Sequence, residues 1–106
     1  MAWGLLAVAI IVEVVATVSL KLSEGFSHLG WSAVVVFGYL VSFALLGQIV
    51  RTIPLAVTYA VWSGAGTALT AALSLVLFGE RMTALKLAGF GLIVVGVAIL
   101  NVETAE

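Results

Sequence analysis

The sequence predicts an all-α membrane protein of four transmembrane helices, and three observations predict it. Hydrophobic residues make up 64% of the chain and charged residues 8%, against about 25% charged in a soluble domain. A chain of 106 residues leaves much of itself exposed and in water would need polar surface, so its solvent is mainly lipid. The few charges cut the chain into four apolar stretches, each long enough to cross ~30 Å of hydrocarbon at about 1.5 Å per residue. The gaps between them are short, which sets neighbouring helices antiparallel.

The first stretch, Ala2 to Leu20, holds one charge, Glu13. No basic segment precedes it and Glu13 interrupts it, so it reads as a retained helix rather than a cleaved signal. Lys21 to His28, with Ser23, Glu24 and Gly25, forms the first gap. Leu29 to Val50 is uncharged. Arg51 to Pro54 follows, with the only proline placed to enter the first turn of the third helix. Thr52 to Gly79 is uncharged, Glu80 and Arg81 separate it from the last stretch, and Thr83 to Val102 holds only Lys86, near enough its end to snorkel. Helices are therefore expected over about 2–21, 29–50, 54–78 and 83–102, as a single domain spanning 1–106. Trp3 and Trp31 lie near span ends, where amphipathic rings favour the headgroup layer. Both termini fall on one side. Lys21, Arg81 and Lys86 lie on the other, against Arg51 on the side of the termini, a bias that favours cytoplasmic first and third loops.

Glu13 is the residue that points to chemistry. A charge at the bilayer centre costs roughly 3 kcal/mol on insertion scales, and burial favours the neutral acid. Such a group can exchange a proton for a cation. One turn away on its helix face lie Ala9, Ala16 and Thr17. Small side chains admit another helix or a ligand, and Thr17 can donate to the carboxylate. Tyr39, with Ser42 and Phe43 on its face, lies deep in the second helix, where a phenol needs a partner and Glu13 is the expected acceptor. The third helix offers Tyr59, Trp62 and Ser63. Aromatic faces attract cations, so rings and one carboxylate make a pocket for a large, weakly hydrated cation. Gly64 and Gly66 weaken that helix and are expected to act as a hinge. Gly89, Gly91 and Gly96 in the fourth helix are expected to form a dimer contact.

Other function classes find no support in the residues. Net charge is −1, which suits neither nucleic acid nor an anionic surface. There is no cysteine, no metal-ligand cluster and no phosphate-cradling glycine loop. No nucleophile–base pair lies within the spans, so the chain is not expected to be an enzyme or to need a cofactor. An ion gradient is the expected energy source. Three helices around a large cation leave one side open, so a second copy is expected to close the cavity. An antiparallel pair would also supply the inverted repeat that alternating access uses.

The motifs resemble a known family. Val12-Glu13-Val14, Lys21-Leu22-Ser23-Glu24-Gly25-Phe26, Ile53-Pro54, Ala56-Val57-Thr58-Tyr59-Ala60-Val61-Trp62-Ser63-Gly64-Ala65-Gly66, Phe78-Gly79-Glu80 and Gly91-Leu92-Ile93-Val94-Val95-Gly96-Val97 together look like the small multidrug resistance family. The resemblance implies an antiparallel dimer in the bacterial inner membrane that exports quaternary ammonium or aromatic cations in exchange for protons. It also implies that Glu13 is shared by proton and substrate, that Tyr59 and Trp62 line the site, and that the fourth helix forms the dimer contact. Within the family a guanidinium-exporting type carries a tryptophan shortly after the acid. Ala16 stands there here, followed by Thr17, which resembles the multidrug type. Guanidinium export, and a role as a non-transporting partner in a pair with a paralogous subunit, are the alternatives.

Overall fold

The computed structural model describes residues 1–104. It contains four helices, α1 (Ala2–Leu22), α2 (Leu29–Ile49), α3 (Leu55–Phe78) and α4 (Ala84–Thr104). Each is long and apolar enough to cross a membrane. Helices are what lipid permits, because every backbone polar group must be satisfied within its own segment. At about 1.5 Å per residue their lengths come to roughly 32–36 Å, slightly more than the hydrocarbon layer.

The ends of the helices follow local chemistry. After α1, Ser23 is buried. Its hydroxyl donates to the Leu20 carbonyl at 2.7 Å and accepts the Phe26 N–H at 3.1 Å. The chain then turns through Glu24, Gly25 and Phe26, all with positive φ, a region in which only glycine rests without steric cost. Pro54 stands just outside α3 as its N-cap, not inside the first turn as expected. Its extended ψ of 142° leaves its carbonyl free to accept the Thr58 N–H at 2.9 Å. Gly79 ends α3 in the left-handed conformation at φ 62°. Thr83 caps α4, its hydroxyl accepting the Lys86 N–H at 3.2 Å.

The helices pack unevenly along their length. α1 packs on α2 and α3, and α3 on α4. The buried core comprises Leu6, Ala9, Ile10 and Val14 of α1, Leu46 and Ile49 of α2, Ile53, and Val61 and Trp62 of α3. Trp3, expected among the headgroups, packs against this cluster, as do Val97 and Leu100. These residues come mostly from the first halves of α1 and α3 and the second halves of α2 and α4, so the core fills the half of the bundle nearest the termini. The other half is looser, and a groove opens there. The result is a slab of 43 × 35 × 17 Å, with no buried residue on α4.

Small residues set the closest approaches. A β-carbon on Gly38 would stand 2.7 Å from the Ala16 Cβ, and one on Gly64 2.9 Å from the Val97 Cγ2. Ala16 has no flexible end that can move away. Gly38→Ala is therefore expected to destabilise the bundle by about 1–3 kcal/mol, measured as unfolding in mixed detergent. An unchanged unfolding midpoint would show that α1 and α2 are not locked at this point.

Candidate functional site

The groove is lined at its deep end by Glu13, Thr17, Tyr39, Trp62, Ser63 and Gly66, and it continues along α3 past Thr67, Thr70 and Ser74 to the α3–α4 loop. Its volume is about 540 Å³, within the usual range for small-molecule sites of roughly 300–1,000 Å³.

Glu13 lies at the middle of α1. Its carboxylate reaches α3 because Gly66 has no side chain: a β-carbon there would overlap the Glu13 Oε1. The Thr17 hydroxyl, one turn further on, donates to Glu13 Oε2 at 2.6 Å. Thr17 Oγ1 also lies 2.5 Å from the Tyr39 hydroxyl. The sequence pointed to Glu13 as the acceptor for Tyr39, and the structure corrects this. Thr17 stands between them, since it shares the face of α1 on which Glu13 lies. A hydroxyl has one proton. When Thr17 gives its proton to an ionised Glu13, Tyr39 must donate to Thr17. When Glu13 carries its own proton and donates, both bonds can reverse. The three groups thus sense the charge state of the carboxyl.

No ion pair reaches Glu13 among the described residues, where the ion pairs are Lys21–Glu80 and His28–Glu24. The only basic residues lining the groove, Arg81 and Lys86, belong to its loop end.

Trp62 is fixed by a second relay. Its Nε1–H donates to Ser42 Oγ at 3.0 Å, and the Ser42 hydroxyl donates to the Ala9 carbonyl at 2.9 Å. This chain crosses α3, α2 and α1 and sets the plane of the indole. Phe43 and Tyr59 flank the ring, with centroids at 5.4 and 5.9 Å.

The sequence-derived candidates therefore divide by position. Glu13, Thr17, Tyr39, Trp62 and Ser63 line the groove. Ser42 and Ala9 are fully buried behind the indole and act through it. Tyr59 is 61% exposed and lies beside Trp62, outside the groove lining. Ser63 bonds back to the Tyr59 carbonyl at 2.7 Å. Gly64 and Gly66 sit within an uninterrupted α3. Gly66 receives Glu13, and Gly64 receives Val97 and Ile93 of α4. A β-carbon on Gly89, Gly91 or Gly96 would meet no other atom within 4 Å, and Gly91 lies on the opposite side of α4 from Gly89 and Gly96. Thr67, Thr70 and Ser74 were missed. Together with Ser63 they recur at intervals of four, three and four residues, the spacing of one helix face.

A model of the small multidrug resistance protein family matches residues 1–93, which include this whole constellation. The chain belongs to that family. It is 46% identical over 99 residues to the quaternary ammonium compound-resistance protein QacE of Escherichia coli, covering 93% of this chain and 90% of the relative. It is 44% identical over 101 residues to the multidrug resistance protein EbrB of Bacillus subtilis, covering 95% and 86%. It is 43% identical over 96 residues to a multidrug transporter of Pseudomonas aeruginosa, covering 91% and 87%. Membership of this bacterial family and four apolar spans make it a multi-pass protein of the bacterial inner membrane.

Gly66→Ala tests the geometry. The added methyl group displaces the carboxylate, and overpacking of this kind costs about 1–3 kcal/mol. The unfolding midpoint in mixed detergent is expected to fall accordingly. An unaltered midpoint would mean that the carboxylate does not need its seat against α3.

Proposed function

We propose that this protein is a proton-coupled antiporter that exports lipophilic and quaternary ammonium cations, with Glu13 holding proton and cation in turn. The observation that carries this reading is the unpaired carboxylate of Glu13 at mid-membrane, facing a groove walled by the indole of Trp62 and the phenol of Tyr39. An acid in hydrocarbon without a counter-ion needs either a proton or a cation beside it. The ring faces then favour a large, weakly hydrated cation. Relatives named for quaternary ammonium and multidrug resistance fit this substrate class.

Exchange follows from occupancy of a single group. A cation that enters displaces the proton, and a proton that returns displaces the cation. A second copy completes the pathway, because the slab leaves the groove open on one side and α4 is unburied. An inverted copy would supply a second groove facing the opposite surface, as alternating access requires. The unpacked glycines of α4, Gly89 and Gly96 on one side and Gly91 on the other, are the proposed contact between copies. A hinge at Gly64 and Gly66 would let the loop end of α3 move relative to its packed end. The size of the groove and its aromatic wall favour bulky cations over guanidinium.

Two measurements test this reading. Affinity for tetraphenylphosphonium should rise with pH, by up to about tenfold per unit for each proton displaced. Glu13→Gln should abolish both that dependence and proton-driven uptake into vesicles, while Glu13→Asp keeps uptake with a displaced pH profile. Binding that ignores pH in the wild-type protein would defeat the proposal. In the second measurement, guanidinium and tetraphenylphosphonium are offered side by side to reconstituted vesicles. Proton movement driven by guanidinium alone would assign the chain to the other substrate class.

A further inference from the structure

The loop end of the groove holds a second carboxylate, Glu80, and a cation already sits on it. Lys21, in the last turn of α1, places its ammonium 2.7 Å from Glu80 Oε2 and 4.8 Å from the centroid of the Phe78 ring. A carboxylate and an aromatic face holding one positive charge is the same pairing of groups that Glu13 and Trp62 present at mid-membrane. Here the occupant is the protein's own side chain. We propose that Glu80 and Phe78 form a peripheral cation station at the mouth of the groove, where an organic cation exchanges with Lys21 on its way to or from Glu13. The role of this station in transport rests on the antiporter reading above, but the binding itself does not.

Three features make exchange with Lys21 feasible. First, the ion pair is half exposed, with side-chain exposures of 54% and 48%. Exposed pairs of this kind are weak, so a competing cation can displace the ammonium. Second, an organic cation loses less hydration than an ammonium group on leaving water and gains more from the ring face. Third, the backbone holds the site in place. Gly79 turns the chain out of α3 in the left-handed conformation, and the Glu80 N–H returns to the Ser74 carbonyl at 3.3 Å. Phe78 and Glu80 therefore flank a fixed turn.

The other charges at this mouth keep the station weak. Arg81 and Lys86 line it as well, and the Lys86 ammonium is turned towards the Arg81 carbonyl at 3.3 Å. Their charge opposes long residence of a cation on Glu80, as transit requires. Lys21 gains from the arrangement too, since it neutralises Glu80 whenever no substrate is present and keeps that carboxylate from retaining inorganic cations.

The test reads Lys21 directly. Full-length protein carrying Glu13→Gln, reconstituted in lipid vesicles, is acylated with an amine-reactive ester. Labelling of Lys21 and Lys86 is followed by mass spectrometry with and without tetraphenylphosphonium, at matched ionic strength. Displacement from a pair of this strength is expected to speed Lys21 labelling roughly two- to fivefold while Lys86 is unaffected. Phe78→Leu, which changes no charge, should reduce that acceleration. Unchanged or slowed labelling of Lys21, or equal acceleration at Lys86, would overturn the proposal. Because Glu13 is absent from this experiment, a negative result leaves the antiporter reading standing. Conversely, a failed pH dependence at Glu13 leaves this test intact.

Discussion

An ionisable carboxyl group held in hydrocarbon without a counter-ion is the constraint around which this fold is organised. A charge at that depth costs roughly 3 kcal/mol, and the structure recovers only part of it. Thr17 supplies one hydrogen bond to Oε2, and Gly66 gives Oε1 a place against a bare backbone. No basic side chain among the described residues completes the balance. The remaining polar network serves the walls of the site. Ser42 and the Ala9 carbonyl hold the indole at a fixed angle, and a ring held in place loses less entropy when it binds a ligand than a mobile one does. Thus α1 supplies the charge, α3 makes room for it, and α2 orients the aromatic wall.

The uneven packing gives this site a direction. Leu6, Ile10, Leu46, Ile49, Ile53 and Val61 close the bundle on the side of the termini, whereas Thr67, Thr70, Ser74 and Glu80 line an open path on the side of the first and third loops. Lys21, Arg81 and Lys86 lie on the open side, the side that the three-to-one charge bias favours as cytoplasmic. On the antiporter reading proposed above, a structure packed at one end and open at the other would be one half of an alternating-access pair. In that reading the opposite state would require the packed end, whose core is aliphatic apart from Trp62, to loosen.

Much of this was legible in the sequence, for identifiable reasons. Charges cannot be hidden in lipid, so Lys21, Arg51, Glu80 and Arg81 marked the limits of the spans. Glu13 marked the site because an acid has no other ready explanation at that depth. Depth along a helix was therefore readable, whereas rotation about its axis was not. Each helix is apolar on nearly every side, so nothing in the pattern told which face of α2 or α3 turned inward. That is why Ser42 and Ala9 were grouped with the groove when they lie behind its wall, and why Tyr59 was expected beside Trp62 within the site rather than outside it. The glycines of α3 were expected to form a hinge. In this state both are occupied by close neighbours, Glu13 and α4. Thr67, Thr70 and Ser74 did carry a signal in their spacing. Hydroxyls in spanning helices commonly bond to the preceding turn, which makes such a signal weak.

Thr70 departs from that pattern. Its hydroxyl is buried and has no hydrogen-bond partner among the described residues, whereas Ser63 on the same face bonds to the turn before it. An unpaired buried hydroxyl costs about 1–3 kcal/mol. A valine at that position would avoid the cost and pack as well against lipid or a neighbouring helix. The polar group therefore weakens the packing of α3 beside the groove without strengthening the state observed. Thr70 lines the groove between Glu13 and the loop end, so a water or a molecule entering that path would give its hydroxyl the partner it lacks.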